Sequence, residues 1–182
     1  MTKIRSIGLK SILLGTVNVA GGMPASLTAA GKTFRGTASF NTEANSEQDF
    51  YSEEQPTAPE ESVATEAGLV SLKWNMMEWD NAELVRLFGG KTKTENVTVD
   101  TKTYSVEKYS APSDIVSIEL GVRAISRYNV VIDIPRAKIQ ARFVWNLTQT
   151  DIAQIEITAK ALTPVVDTES PYHIYKLGEP TT

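Results

Sequence analysis

Apolar and polar residues alternate with a period of two through most of this sequence, and that alternation constrains the fold more than any other feature. A strand places successive side chains on opposite faces, so the pattern reads as a strand with one face buried. It is clearest over Arg136–Trp145. There Ala137, Ile139, Ala141, Phe143 and Trp145 fall on the inward face, and Arg136, Lys138, Gln140 and Arg142 on the other. Asp151–Leu162 repeats the scheme, with Ala153, Ile155, Ile157, Ala159 and Ala161 inward. Asp114–Ala124, Thr33–Asn41 and Ala67–Met77 are further strand-like stretches, and Tyr172–Leu177, which holds the lone histidine His173, reads as a last strand.

The two clearest strands are joined by Leu147-Thr148-Gln149-Thr150, a hairpin-length connection. A register centred near Thr148 and Gln149 sets Arg142 opposite Glu156. It also sets Lys138 opposite Lys160, which is costly unless another charge lies near. One helix is signalled over about 81–88. Asp80 is a good N-cap, Glu83 completes a capping box, and Trp79 and Leu84 occupy the staple positions. Leu84, Val85, Leu87 and Phe88 form its apolar stripe, and Gly89-Gly90 ends it. At two turns it must dock on a sheet to persist. The expected fold is mainly β, a sandwich or partly rolled barrel with this one flanking helix. No internal boundary is visible, so residues 1–182 read as one domain.

Charge is segregated. Between Gly36 and Leu72 there is no Lys or Arg, while Glu43, Glu47, Asp49, Glu53, Glu54, Glu60, Glu61 and Glu66 lie there. Of the 22 acids in the chain, 14 therefore face the 18 bases of the remainder. Pro56 and Pro59 lie in the same stretch, so residues of about 42–66 are expected to form a long projecting acidic hairpin loop. Glu47, Asp49, Glu53, Glu54, Glu60, Glu61 and Glu66 are its candidate contact residues. Arg136, Lys138 and Arg142 make a basic strand face, with Arg123 and Arg127 upstream. That face carries no aromatic residue on which a nucleobase would stack, so an acidic segment of a neighbouring chain is its expected partner.

Other chemistries find little support. The chain has no cysteine, which removes disulfides, thiolate catalysis and cysteine-ligated metals. His173 is expected to be structural, and neither a cofactor nor a metal is expected. Ala30-Gly31-Lys32-Thr33 and Gly90-Lys91-Thr92 resemble the end of a phosphate-binding loop. The required earlier glycine is replaced by Ser26 and Val85, and neither stretch opens a helix. Paired loop acids such as Glu53-Glu54 lack the apolar surroundings that acid–base catalysis needs. No apolar run is long enough for a transmembrane helix. Lys3, Arg5 and Lys10 precede Ile12–Val17, and Ala20 mimics a cleavage site, but Asn18 breaks this short export-like run.

The order of features resembles phage major tail proteins, the subunits of tail tubes. Four stretches carry the resemblance: Ile4–Thr16; the acidic hairpin after Thr33–Asn41; the strand leading into Leu84-Val85-Arg86-Leu87-Phe88-Gly89-Gly90; and Ile134–Phe143 through Ile155–Pro164. The resemblance implies a β-sandwich-like subunit that is not an enzyme. Six copies form a ring, and their inner sheets join across subunits. Rings stack through a long loop, DNA passes through the lumen of a virion tail without specific binding, and the acids Glu47, Asp49, Glu53, Glu54, Glu60, Glu61 and Glu66 face either the next ring or that lumen. The implied partners are further copies of the chain and other tail proteins, and no membrane. Two other readings compete. A secreted or surface β-domain, such as a pilus or adhesin subunit, requires removal of about the first 20 residues. A small-ligand β-barrel requires a polar constellation that the sequence does not show.

Overall fold

The computed structural model describes residues 4–178, so Lys3 lies outside the described residues. In chain order the strands are β1 (Leu9–Thr16), β2 (Thr28–Ala29), β3 (Lys32–Thr33), β4 (Ser39–Thr42), β5 (Ser46–Phe50), β6 (Glu61–Glu66) and β7 (Val70–Glu78). After the helix α1 (Asn81–Phe88) come β8 (Lys91–Val99), β9 (Lys102–Ser110), β10 (Ile118–Ser126), β11 (Val130–Val144), β12 (Gln154–Ala161) and β13 (His173–Lys176). The protein is mainly β, and every strand pairing is antiparallel.

Nine strands form one sheet in the order β2-β1-β10-β11-β12-β7-β3, with β13 beside β11 and β4 beside β7. The β11–β12 register sets Arg142 opposite Glu156 and Lys138 opposite Lys160, as the hairpin connection predicts. Alternation fills the interior with Trp74 and Met76 from β7, Ile155 and Ile157 from β12, Val122 from β10, and Ile12 and Leu14 from β1. The Ile12–Val17 run is thus largely a core strand.

Pro135 decides how the longest strand behaves. Proline has no N–H to give a ladder, so inside a strand it belongs at a bulge or edge. Leu120 faces Ala137 and Val122 faces Ile134, so Gly121 alone opposes Pro135 and Arg136. On its other side β11 changes neighbour at the same point, pairing β13 over Val130–Asp133 and β12 over Ala137–Val144. Gly121 also pairs with Gly15 of β1. A Cβ on Gly121 would lie 2.4 Å from the Pro24 ring, and one on Gly15 2.6 Å from Pro24 Cβ, so the two glycines form the seat for Pro24.

The sheet rolls until its two ends meet one short segment. β2 pairs with β1, β3 pairs with β7, and only Ala30 and Gly31 separate them. The ladder does not close into a barrel. Helix α1 clasps this segment: Glu83 accepts from Gly31 N at 2.8 Å, and Arg86 donates to the Thr28 hydroxyl. The helix is capped as expected, with Asp80 accepting from Glu83 N at 2.7 Å and Glu83 accepting from Asp80 N at 3.2 Å. Leu84 and Leu87 bury its apolar face.

Two expectations are corrected. Thr33–Asn41 is not one strand: a turn at Phe34–Thr37 interrupts it, with Gly36 at φ +83°. β7 compensates, since Asn75 O accepts from Phe34 N at 2.8 Å and Asn75 N donates to the Thr37 hydroxyl at 3.0 Å. Phe143 and Trp145 do not enter the core. They stay 43% and 58% exposed and meet Trp79 and Phe88 at the side of the helix.

Asp133 is the one buried acid among the described residues. Arg123, directly opposite on β10, donates two hydrogen bonds to it at 2.7 Å, and the Tyr175 hydroxyl donates a third at 2.9 Å. This cluster ties β13 to the sheet. Burial, then the bond to Asp133, raises the Tyr175 pKa above its ordinary value of 10.0. That contribution to stability is present below pH 10 and lost as pH rises through the folded value. Replacing Arg123→Met strands a buried charge and is expected to cost about 3–5 kcal/mol in urea unfolding. Arg123→Met with Asp133→Leu should recover most of the loss. The alkaline decline should shrink in Tyr175→Phe.

Candidate assembly surfaces

β5 and β6 form a separate two-stranded ribbon that leaves the sheet between β4 and β7, and every residue of both strands is exposed. The expected acidic hairpin is therefore present, and its arms are paired strands whose register shifts once, between Ser46 and Glu47. Its root is fixed by Glu43 N to Leu69 O at 2.9 Å and Gly68 N to Asn45 Oδ1 at 3.0 Å. A Cβ on Gly68 would lie 1.9 Å from Glu43 O, so only glycine fits there.

The ribbon distributes the candidate acids over its whole surface. Glu47 and Asp49 share one face with Ala64 and Ser62. The opposite face carries Phe50, paired with Glu61, and Val63, paired with Gln48. Glu53, Glu54 and Glu60 lie in the connection, and Glu66 sits at the root opposite Ser46. None of these acids forms an ion pair among the described residues. Phe50 and Val63 remain 53% and 43% exposed, so that face sets two uncovered apolar side chains beside Gln48 and Glu61.

Arg136, Lys138 and Arg142 do lie together on the outer face of β11, but two of them are engaged within the chain. Arg136 bonds both oxygens of Glu119, at 2.7 and 3.2 Å, and reaches Thr163 O at 3.3 Å. Arg142 is paired with Glu156. Arg123, as shown, is bound to Asp133. The surplus positive charge on this face rests instead on Lys138, Lys160 and Lys73, which the registers place in neighbouring rows. Glu119 opposes Lys138 across the β10–β11 ladder, which offsets the Lys138–Lys160 repulsion. Lys160 follows from the hairpin register, whereas Lys73 is invisible as a member of this face until β7 and β12 are paired.

The rejected phosphate-loop stretches lie where their sequence context indicates. Lys32-Thr33 is strand, and Lys91 opens a strand just after α1 ends. Asn81 donates to Glu107 O at 2.8 Å and Tyr109 to Gly89 O at 2.9 Å, which fasten the β8–β9 ribbon to the helix. No group of three His, Cys, Asp or Glu residues is placed to hold a metal among the described residues. No helix there is long and apolar enough to cross a membrane.

No protein-family model matches the chain, and a search of curated proteins finds no significant match.

The hydrogen bond from Arg136 holds the Glu119 carboxyl below its ordinary 4.5, against the opposing effect of burial. A depressed carboxyl stabilises the fold above that value, and the contribution fades as pH falls through the folded pKa. Both side chains are about a third exposed, so solvent screens the pair and its contribution is small. Urea midpoints measured from pH 7 to pH 3 should fall more shallowly in Glu119→Gln than in the natural chain.

Proposed function

We propose that this protein is a structural subunit of a phage tail tube, a component of the virion tail that assembles in the host cytoplasm. Copies arranged around an axis, as hexameric rings that stack, enclose a lumen through which DNA passes. The observation that carries this reading is the β5–β6 ribbon: strand-paired, wholly exposed, strongly acidic and anchored on a cored sheet. A two-stranded ribbon is marginal alone in water, and one that leaves Phe50 and Val63 uncovered gains stability from a partner. Its acids form no ion pair among the described residues, whereas the remainder of the chain carries the surplus of bases. Contacts between unlike surfaces of identical subunits generate rings when the rotation closes and stacks when a second contact repeats. An acidic wall suits a conduit, because gripping DNA depends on Lys and Arg displacing counterions from phosphates.

The competing secreted or surface β-domain would lose about 20 residues. That cut would remove β1, and with it Ile12 and Leu14 from the core.

Purified protein at high concentration should form rings or hollow tubes in negative-stain microscopy. A particle that stays monomeric over a wide concentration range overturns the proposal. Reversing charge at Glu53, Glu54, Glu60 and Glu61 should suppress polymerisation with the unfolding midpoint unchanged, because these side chains touch no core residue.

A further inference from the structure

Where the roll fails to close, it leaves a groove of about 670 Å³ between β1 and β4. Both of its walls are strand edges with backbone groups to spare. β1 pairs with β2 only at Leu13 and Leu14, so Leu9–Ser11 have β10 on one side and no strand on the other. β4 is paired only with β7. The floor is apolar, built from Leu9, Phe40, Leu72 and Ile132 among others. The rim is cationic: Lys10, Lys32, Arg35 and Arg127 line the groove, and no Asp or Glu does. Lys32 is paired with Glu78 at 2.7 Å, while the other three form no ion pair among the described residues.

We infer that this groove is the receptor for the β5–β6 ribbon of a second copy of the chain, with Phe50 and Val63 toward the apolar floor, and Glu61 on the same face and Glu53, Glu54 and Glu60 of the connection toward Lys10, Arg35 and Arg127. The inference rests on the reading of the chain as self-assembling, and it assigns the surface that the ribbon meets. Complementarity of charge and of apolar area selects the occupant. The ribbon is the part of this chain that combines eight nearby acids, no base and an uncovered aromatic residue. The groove offers bases without acids around an apolar floor. The lysine rows of the outer sheet face match the charge but are flanked by Ser71, Asn75, Gln140 and Thr158, so they offer Phe50 nothing to bury against. The spare strand edges add a second kind of fit, since an outer edge of the ribbon is free to extend a sheet by backbone hydrogen bonds. Within one chain the ribbon points away from the sheet with both strands exposed, so the occupant comes from another copy.

The natural chain has no cysteine, so single cysteines report contacts without background. Full-length Tyr51→Cys protein is mixed with full-length Ser39→Cys protein, whose cysteine lies at the groove, and treated with a short bis-maleimide. The control partner is Gln140→Cys, on the outer sheet face. Crosslinked heterodimers are expected with Ser39→Cys and not with Gln140→Cys. Adding Arg35→Glu and Arg127→Glu to the groove chain should lower the yield at least about tenfold through like-charge repulsion. Adding Glu53→Lys and Glu54→Lys to the ribbon chain should restore it. Crosslinking at Gln140→Cys, or at neither site, overturns the inference. So does protection of Ser39→Cys from maleimide by a short oligonucleotide in place of the ribbon. The two readings separate cleanly. Tubes whose ribbons crosslink to Gln140→Cys leave the tube standing and remove the groove. Crosslinking at Ser39→Cys in particles that never form rings keeps the groove and removes the tube.

Discussion

The missing N–H of Pro135 is the constraint from which the architecture follows. A fifteen-residue strand with an unbroken ladder would hold the same neighbours along its length. Instead β11 bulges opposite Gly121 and exchanges β13 for β12 on its far side. Bulges bend a strand and increase its twist, and here that bend lets one strand serve two directions of the sheet. Gly121 then faces Gly15, and the absence of both side chains admits Pro24 against the sheet. Twist accumulated across the sheet brings β1 and β7 toward each other, where the Thr28–Thr33 segment joins them.

Charge follows the same geometry. Strand pairing gives arginines of the rolled sheet acidic neighbours: Arg123 with Asp133, Arg136 with Glu119 and Arg142 with Glu156. These pairs consume what looks in the sequence like an available basic face. The acids of the ribbon receive no such partners, because the ribbon pairs only with itself. The unsatisfied electrostatics of the molecule are therefore concentrated on the projecting ribbon, the lysine rows and the open seam. On all three, charge lies at the surface of the molecule and not in its core.

How much of this was legible in the sequence depended on whether the determining contacts were local. Alternation in Arg136–Trp145 and Asp151–Leu162 yielded two adjacent strands and their register, because a short connection leaves few alternatives. Asp80 and Glu83 announced the helix because a capping box lies within four residues. The turn at Phe34–Thr37 was hidden, since its backbone groups are satisfied by Asn75 from a distant strand. Phe143 and Trp145 kept the correct face but ran past the end of the core, and a period of two carries no information about where a core stops. The β8–β9 ribbon was missed altogether: β8 opens on Lys-Thr-Lys-Thr, and its few apolar residues, Val97, Val99, Tyr104 and Val106, gather on one face only once the two strands are paired. Among the candidate site residues, the acids of the ribbon were legible as a run without bases. The engagement of Arg136 was not, because Glu119 lies on a different strand, and neither were the groove residues Lys10, Arg35 and Arg127, which come from three separate parts of the chain.

The six residues from Thr28 to Thr33 fasten both margins of the sheet, with two residues between the fastenings and the helix gripping them from outside. Gly31 sits so close to Glu78 that a Cβ there would lie 2.1 Å from its carbonyl oxygen, so the clasp has no slack. Tension applied across the seam passes through the two pairings in series. Fastenings in series hold only as well as the weaker of them, so the strength of the seam is set by whichever of these two short pairings opens first.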